Sequence, residues 1–132
     1  MRFPFLELPG ERLALARPVV PLQLEDLEET PLLCLVDTGS TGNRFAVEFA
    51  EIAGISLDAP LDATEIVVGG LKTRGRCVRA ALTLGSFRFD APIWFCDPWP
   101  FAFGLLGQEG FMRFFRLTIS AAEGWLECEP EP

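Results

Sequence analysis

The 132-residue sequence contains no histidine and no tyrosine. The first absence excludes a Ser–His or Cys–His nucleophilic system, an imidazole base and a His-ligated zinc site. The second removes the phenol as an assisting group. Acid–base chemistry therefore falls to carboxylates. Cysteine is sparse: Cys34, Cys77, Cys96 and Cys128 are widely spaced and form no Cys-x-x-Cys pair. A zinc knuckle is not expected, and the four read as small buried hydrophobes in a reducing compartment. Basic residues are outnumbered, 11 Lys and Arg against 19 Asp and Glu, giving a net charge of −8. This disfavours nucleic acid or an anionic membrane as partner. No stretch approaches the roughly 18 continuous apolar residues of a membrane span. Met1-Arg2-Phe3-Pro4-Phe5-Leu6-Glu7 lacks the apolar segment of a secretory signal. A cytoplasmic location is expected.

What is present is a largely apolar chain. Hydrophobic residues make up 49 % and mean hydropathy is +0.27. This is expected to form one domain over 1–132, with part of its apolar surface buried between chains. The acidic clusters, 25–29 and the tail from Glu127 to Glu131, read as a solvated turn and a solubilising tail. The pattern is all-β with one or two short helices. Phe3–Leu8 reads as an edge strand, since Pro4 is tolerated only at an edge. Val19–Leu24 and Pro31–Val36 read as strands. Glu48–Ala53 reads as a helical turn stopped by Gly54. A hairpin is expected with arms at Ala63–Val68 and Arg76–Leu84 and a tip over Gly69–Gly75. Strands follow at Phe87–Phe89 and Ala91–Cys96, then a short helix over Gln108–Phe114. A closing hairpin joins Arg116–Ser120 to Gly124–Cys128.

Asp37-Thr38-Gly39-Ser40 lies at the end of the apolar run Pro31–Val36. Alone it is a weak signal, because Asp and Gly are common in turns. Two later features raise its weight. A glycine-tipped hairpin follows about thirty residues on, and Phe103-Gly104-Leu105-Leu106-Gly107 precedes the short helix. The spacing of Gly104, Gly107 and Gly110 does not match a nucleotide-binding fingerprint, and there is no βαβ context.

In this ordered set the chain resembles the retropepsin-like aspartic proteases, single-lobed and dimeric, over roughly residues 15 to 128. The resemblance implies a closed retropepsin-like barrel and a homodimer that hydrolyses a peptide or protein substrate without metal or organic cofactor. Asp37 would be the catalytic carboxylate, paired with Asp37 of a second subunit. Two carboxyls about 3 Å apart cannot both ionise, so they would share one proton and activate a water. Thr38 would hydrogen-bond across the dimer, Gly39 would donate its N–H to the carboxylate, and Ser40 would bond its outer oxygen. Val68, Gly69, Gly70 and Leu71 of the flap, with Leu105 and Leu106 beneath, would contact the peptide. An apolar lining would favour hydrophobic residues near the scissile bond, while Lys72 and Arg74 would make a basic flap tip. The terminal strands of two subunits would interleave in one sheet. The resemblance has a departure: Gln108 follows Gly107 where many retroviral enzymes carry Arg. A second reading is a catalytically silent member of the fold that binds peptides or only dimerises.

Overall fold

The computed structural model describes residues 1–10 and 15–132; residues 11–14 of the expected 1–132 domain lie outside the described residues. The strands in chain order are β1 (Arg2–Pro4), β2 (Leu6–Glu7), β3 (Ala16–Arg17), β4 (Val19–Leu24), β5 (Leu32–Val36) and β6 (Asn43–Ala46). A helical turn, α1 (Val47–Ile52), leads to β7 (Asp62–Val68), β8 (Leu71–Leu84), β9 (Phe87–Asp97) and β10 (Gly104–Leu106). A π-helical turn over Gln108–Met112 precedes β11 (Phe115–Ser120) and β12 (Trp125–Pro130).

The main sheet runs β4-β5-β10-β6-β9-β8-β7, and β4 also pairs with β8. That extra pairing closes a barrel of six strands, with β7 folded back outside it. Closure removes the unpaired edges that an open sheet would leave on most of these strands. β5 alternates, with Leu32, Cys34 and Val36 buried and Leu33 and Leu35 half-buried. Its inward residues join Val20, Leu22, Leu82, Leu84, Ile93 and Phe95 in one core. Rings of Phe89, Phe111, Phe114 and Phe115 interlock with centroids 4.8 to 6.4 Å apart. This cluster fastens β9 to the π-helical turn and the closing hairpin.

Several boundaries differ from expectation for identifiable reasons. The flap turn is only Gly69-Gly70, with φ of +54° and +84°. Two left-handed residues suit a two-residue hairpin turn, so pairing resumes at once from Val68 to Leu71. Lys72 and Arg74 therefore sit in β8, not at a loop tip. β9 is one strand through Asp90, because β8 pairs with it without a break from Arg74 to Leu84. The helix stop is as expected. The Gly54 N–H donates to Glu51 and the Ile55 N–H to Ala50, at 3.1 and 2.9 Å, with Gly54 left-handed.

The acidic segments are not merely solvated. The Glu25 carboxylate accepts the Ala81 N–H at 2.9 Å, and the tail from Glu127 to Pro130 forms four of the six residues of β12. The terminal strands also depart from the interleaved arrangement. β1 pairs with β12 of its own chain from Arg2↔Glu127 to Pro4↔Trp125. β11 occupies the other side of β12, so within one chain β12 is paired on both sides from Trp125 to Cys128.

Candidate active site

The site is built where β10 threads between β5 and β6. β10 runs parallel to β5, with Leu106 opposite Val36, and antiparallel to β6 through Leu105 and Arg44. The threading brings two Gly-containing loops face to face. The Asp37 N–H donates to the Leu106 carbonyl at 3.0 Å, and Ser40 and Thr41 carbonyls accept from the N–H groups of Gln108 and Glu109, each at 3.0 Å. Only glycine fits at 107: a Cβ there would lie 2.5 Å from the Gly42 oxygen and 2.6 Å from the Ser40 oxygen. Gly104 is close-packed in the same way, against the Phe45 ring and the Cys34 sulfur.

Within this frame the Asp37 carboxylate is half-buried and accepts the Gly39 N–H at 2.9 Å through Oδ1. Among the described residues no Lys or Arg forms an ion pair with it. It opens into a cavity of about 310 Å³ that Asp37, Gly39, Ser40 and Leu105 share with Val68 and Gly69 of the flap. The hairpin thus folds over the carboxylate and walls the cavity on the far side. Among the described residues, no group of three Cys, Asp or Glu side chains is placed to hold a metal ion.

Comparison with known proteins is informative at the level of fold. No protein-family model and no curated protein matches the sequence. Among solved structures, the retroviral protease-like domain of Ddi1 from Leishmania major superposes with a TM-score of 0.62 at 12 % identity. The match covers 87 % of this chain and 90 % of that one. The EIAV protease, solved in complex with the inhibitor HBY-793, matches with a TM-score of 0.51 at 19 % identity. It covers 75 % and 88 % of the two chains.

The fold is retropepsin-like.

In this retropepsin-like frame the expected residues do not all play their expected parts. The Gly39 N–H meets the carboxylate, as anticipated. Ser40 does not: its hydroxyl donates to the Gly42 carbonyl at 2.7 Å and is buried beneath the loop. Thr38 is exposed at the loop tip, and the Gln108 side-chain amide donates to its carbonyl at 2.9 Å. Gln108 therefore ties the loop through the backbone of Thr38. Leu106 is fully buried and faces the core, because strand alternation turns it away from its neighbour Leu105. Of the flap residues, Val68 and Gly69 reach the cavity, joined by Val67; Gly70 and Leu71 lie beyond its lining.

Two site residues were not anticipated. Asn43 is fully buried; its amide nitrogen donates to the Gly110 carbonyl at 2.8 Å and its oxygen accepts the Gly107 N–H at 3.1 Å. It clamps the second loop to the first. A signal existed: period-2 spacing puts Asn43 on the same face as Phe45, and a core-facing amide must find partners. Arg44 points to the opposite face, into the cleft, where its guanidinium donates to Thr41 Oγ1 at 3.2 Å. Burial draws this arginine below its ordinary pKa, and the neighbouring Cys96 and Asp37 push it back upward.

Proposed function

We propose that the chain is a single-domain, homodimeric aspartic endopeptidase whose active site forms where two copies of Asp37 meet. The observation that carries this reading is the Asp37 loop itself. One carboxylate is held by the Gly39 N–H, lies half-exposed beneath a flap, and forms no ion pair with a Lys or Arg among the described residues. A second copy of the loop would supply the companion carboxyl. At about 3 Å separation the pair would hold one proton between them. The ionised Asp37 takes a proton from a bound water as its oxygen attacks the peptide carbonyl carbon. The protonated Asp37 gives its proton to the carbonyl oxygen. The tetrahedral diol then collapses: a diol hydroxyl returns its proton to the ionised Asp37, the C–N bond breaks as the protonated Asp37 gives its proton to the amine nitrogen, and the pair again holds one shared proton. Closure of the flaps would exclude bulk water and bind the peptide in extended form. Four free, buried cysteines support a reducing, cytosolic setting.

The test is peptide hydrolysis by wild type and Asp37→Asn, with sedimentation velocity on both. Removing the shared acid–base pair is expected to lower kcat by on the order of 10³-fold or more, with the dimer retained. Full activity of Asp37→Asn, or hydrolysis by a strict monomer, sinks the proposal. A dimer that binds peptides without cutting any would assign the chain to the catalytically silent class.

A further inference from the structure

We infer that Arg44 selects an acidic side chain, Asp or Glu, on the peptide close to the scissile bond; this rests on the protease reading above. β6 alternates, so Asn43 and Phe45 enter the core while Arg44 projects into the cleft. There it lines the Asp37 cavity and also an adjoining cavity of about 310 Å³, walled by Thr41, Thr64, Ile66, Val67 and Trp94. Arg44, with Thr41 and Val67, is thus shared by the Asp37 cavity and the neighbouring subsite.

The guanidinium is poorly satisfied. It is half-buried, and among the described residues its one side-chain hydrogen bond goes to Thr41 Oγ1. A guanidinium carries five N–H donors. Among the described residues no carboxylate oxygen lies within ion-pair distance of it. Glu65 also lines the adjoining cavity, but it stands on the exposed flap arm opposite Arg74 and makes no ion pair with Arg44. A partly desolvated cation with free donors is matched by a carboxylate, which accepts two parallel N–H bonds from it. The Trp94 ring gives the subsite a flat apolar wall for the methylene stem of such a residue; it packs so closely that a Cβ on Gly42 would lie 3.0 Å from it. The net charge of −8 repels acidic peptides at long range. Among the described residues that line the two cavities Arg44 is the one cation, so a preference for acidic side chains inside the cleft would come from it.

The test needs no variant at first. Peptides carrying Glu, or Gln as its neutral isostere, at each position flanking the scissile bond are offered to the wild-type protein. At one position the Glu peptide is expected to show roughly tenfold or higher kcat/KM, the ratio that one charge-assisted contact supports. Arg44→Glu should invert that ratio and favour Lys, Arg44→Gln should level it, and Arg44→Lys should restore part of it. Circular dichroism confirms that each variant is folded. Equal rates for Glu and Gln peptides at every position overturn the inference while leaving the protease reading intact. If wild type cuts nothing, the protease reading falls instead. Binding of the same peptides, followed by tryptophan fluorescence, then decides the role of Arg44: a Glu-over-Gln affinity ratio near unity overturns it.

Discussion

Gly107→Ala is the sharpest probe of how the site is held together. The backbone at Gly107 has φ −119° and ψ −167°, an extended conformation open to any residue. Backbone freedom therefore gives no reason for glycine here, and alanine would even lower the entropy of the unfolded chain. The cost is steric alone. The new Cβ would sit 2.5 Å from the Gly42 oxygen, 2.6 Å from the Ser40 oxygen and 2.7 Å from the Gly42 nitrogen. All three are backbone atoms, so no side chain can swing aside. Reaching ordinary contact distance requires the two loops to part by about 1 Å. That movement stretches the Gln108-to-Ser40 and Glu109-to-Thr41 bonds and the Gly107-to-Asn43 bond. At about 1 kcal/mol each, the expected loss is about 3 kcal/mol. With a urea slope near 2 kcal/mol/M, the unfolding midpoint should drop by about 1.5 M, and peptide hydrolysis should fall with it. Gly39→Ala is the control, because its Cβ would lie at a tolerable 3.3 Å from Asp37 Oδ1; its midpoint should move by less than about 0.5 M. If Gly107→Ala unfolds within about 0.5 kcal/mol of wild type, the close approach of the loops does not hold the site together.

Asn43→Leu should destabilise by about 2–4 kcal/mol, since it strands the buried Gly107 N–H and Gly110 carbonyl together. Chemical denaturation measures it, and Asn43→Asp should recover only the half that accepts from Gly107. The buried thiols make a third prediction. Burial pushes Cys96 and Cys128 up from 9.0 to about 11, and Cys34 further still. An unfolded thiol loses its proton near 9.0 while the folded one keeps it, so the native state binds more protons between these values. Stability should thus be complete below pH 9 and decline as pH rises toward 11; melting temperatures at pH 7.5, 9 and 10.5 check the sign. A disulfide reagent at pH 7.5 should label none of the four cysteines until the protein is denatured, and rapid labelling of native protein would contradict their burial.

Much of the fold was legible because local chemistry and tertiary structure agree. Gly54 stops α1, Gly69-Gly70 turns the flap hairpin, and the apolar run before Asp37 forms β5, all through backbone preferences that need no distant partner. The flap tip was overestimated at seven residues because Lys72 and Arg74 look like loop residues in sequence. Their alternation with buried Thr73 and Gly75 shows them to be the outward face of β8. The closing strand was anticipated, but not its partner: whether β1 pairs with its own β12 or another chain's depends on contacts 125 residues apart.

The site divides along the same line. The Asp37-Thr38-Gly39 turn is local, because the carboxylate and the N–H that holds it are two residues apart. The sequence alone therefore determined which carboxylate stands at the centre, and the absence of histidine and tyrosine determined that carboxylates must carry any acid–base chemistry. Only the tertiary structure decided what surrounds that carboxylate. Leu106 entered the core, Asn43 became the clamp between loops, and Arg44 emerged in the cleft. Each of those outcomes depends on which way a strand faces once β10 has threaded between β5 and β6. Strand facing is settled by packing across the barrel, between residues as far apart as Arg44 and Trp94 or Asn43 and Gly107.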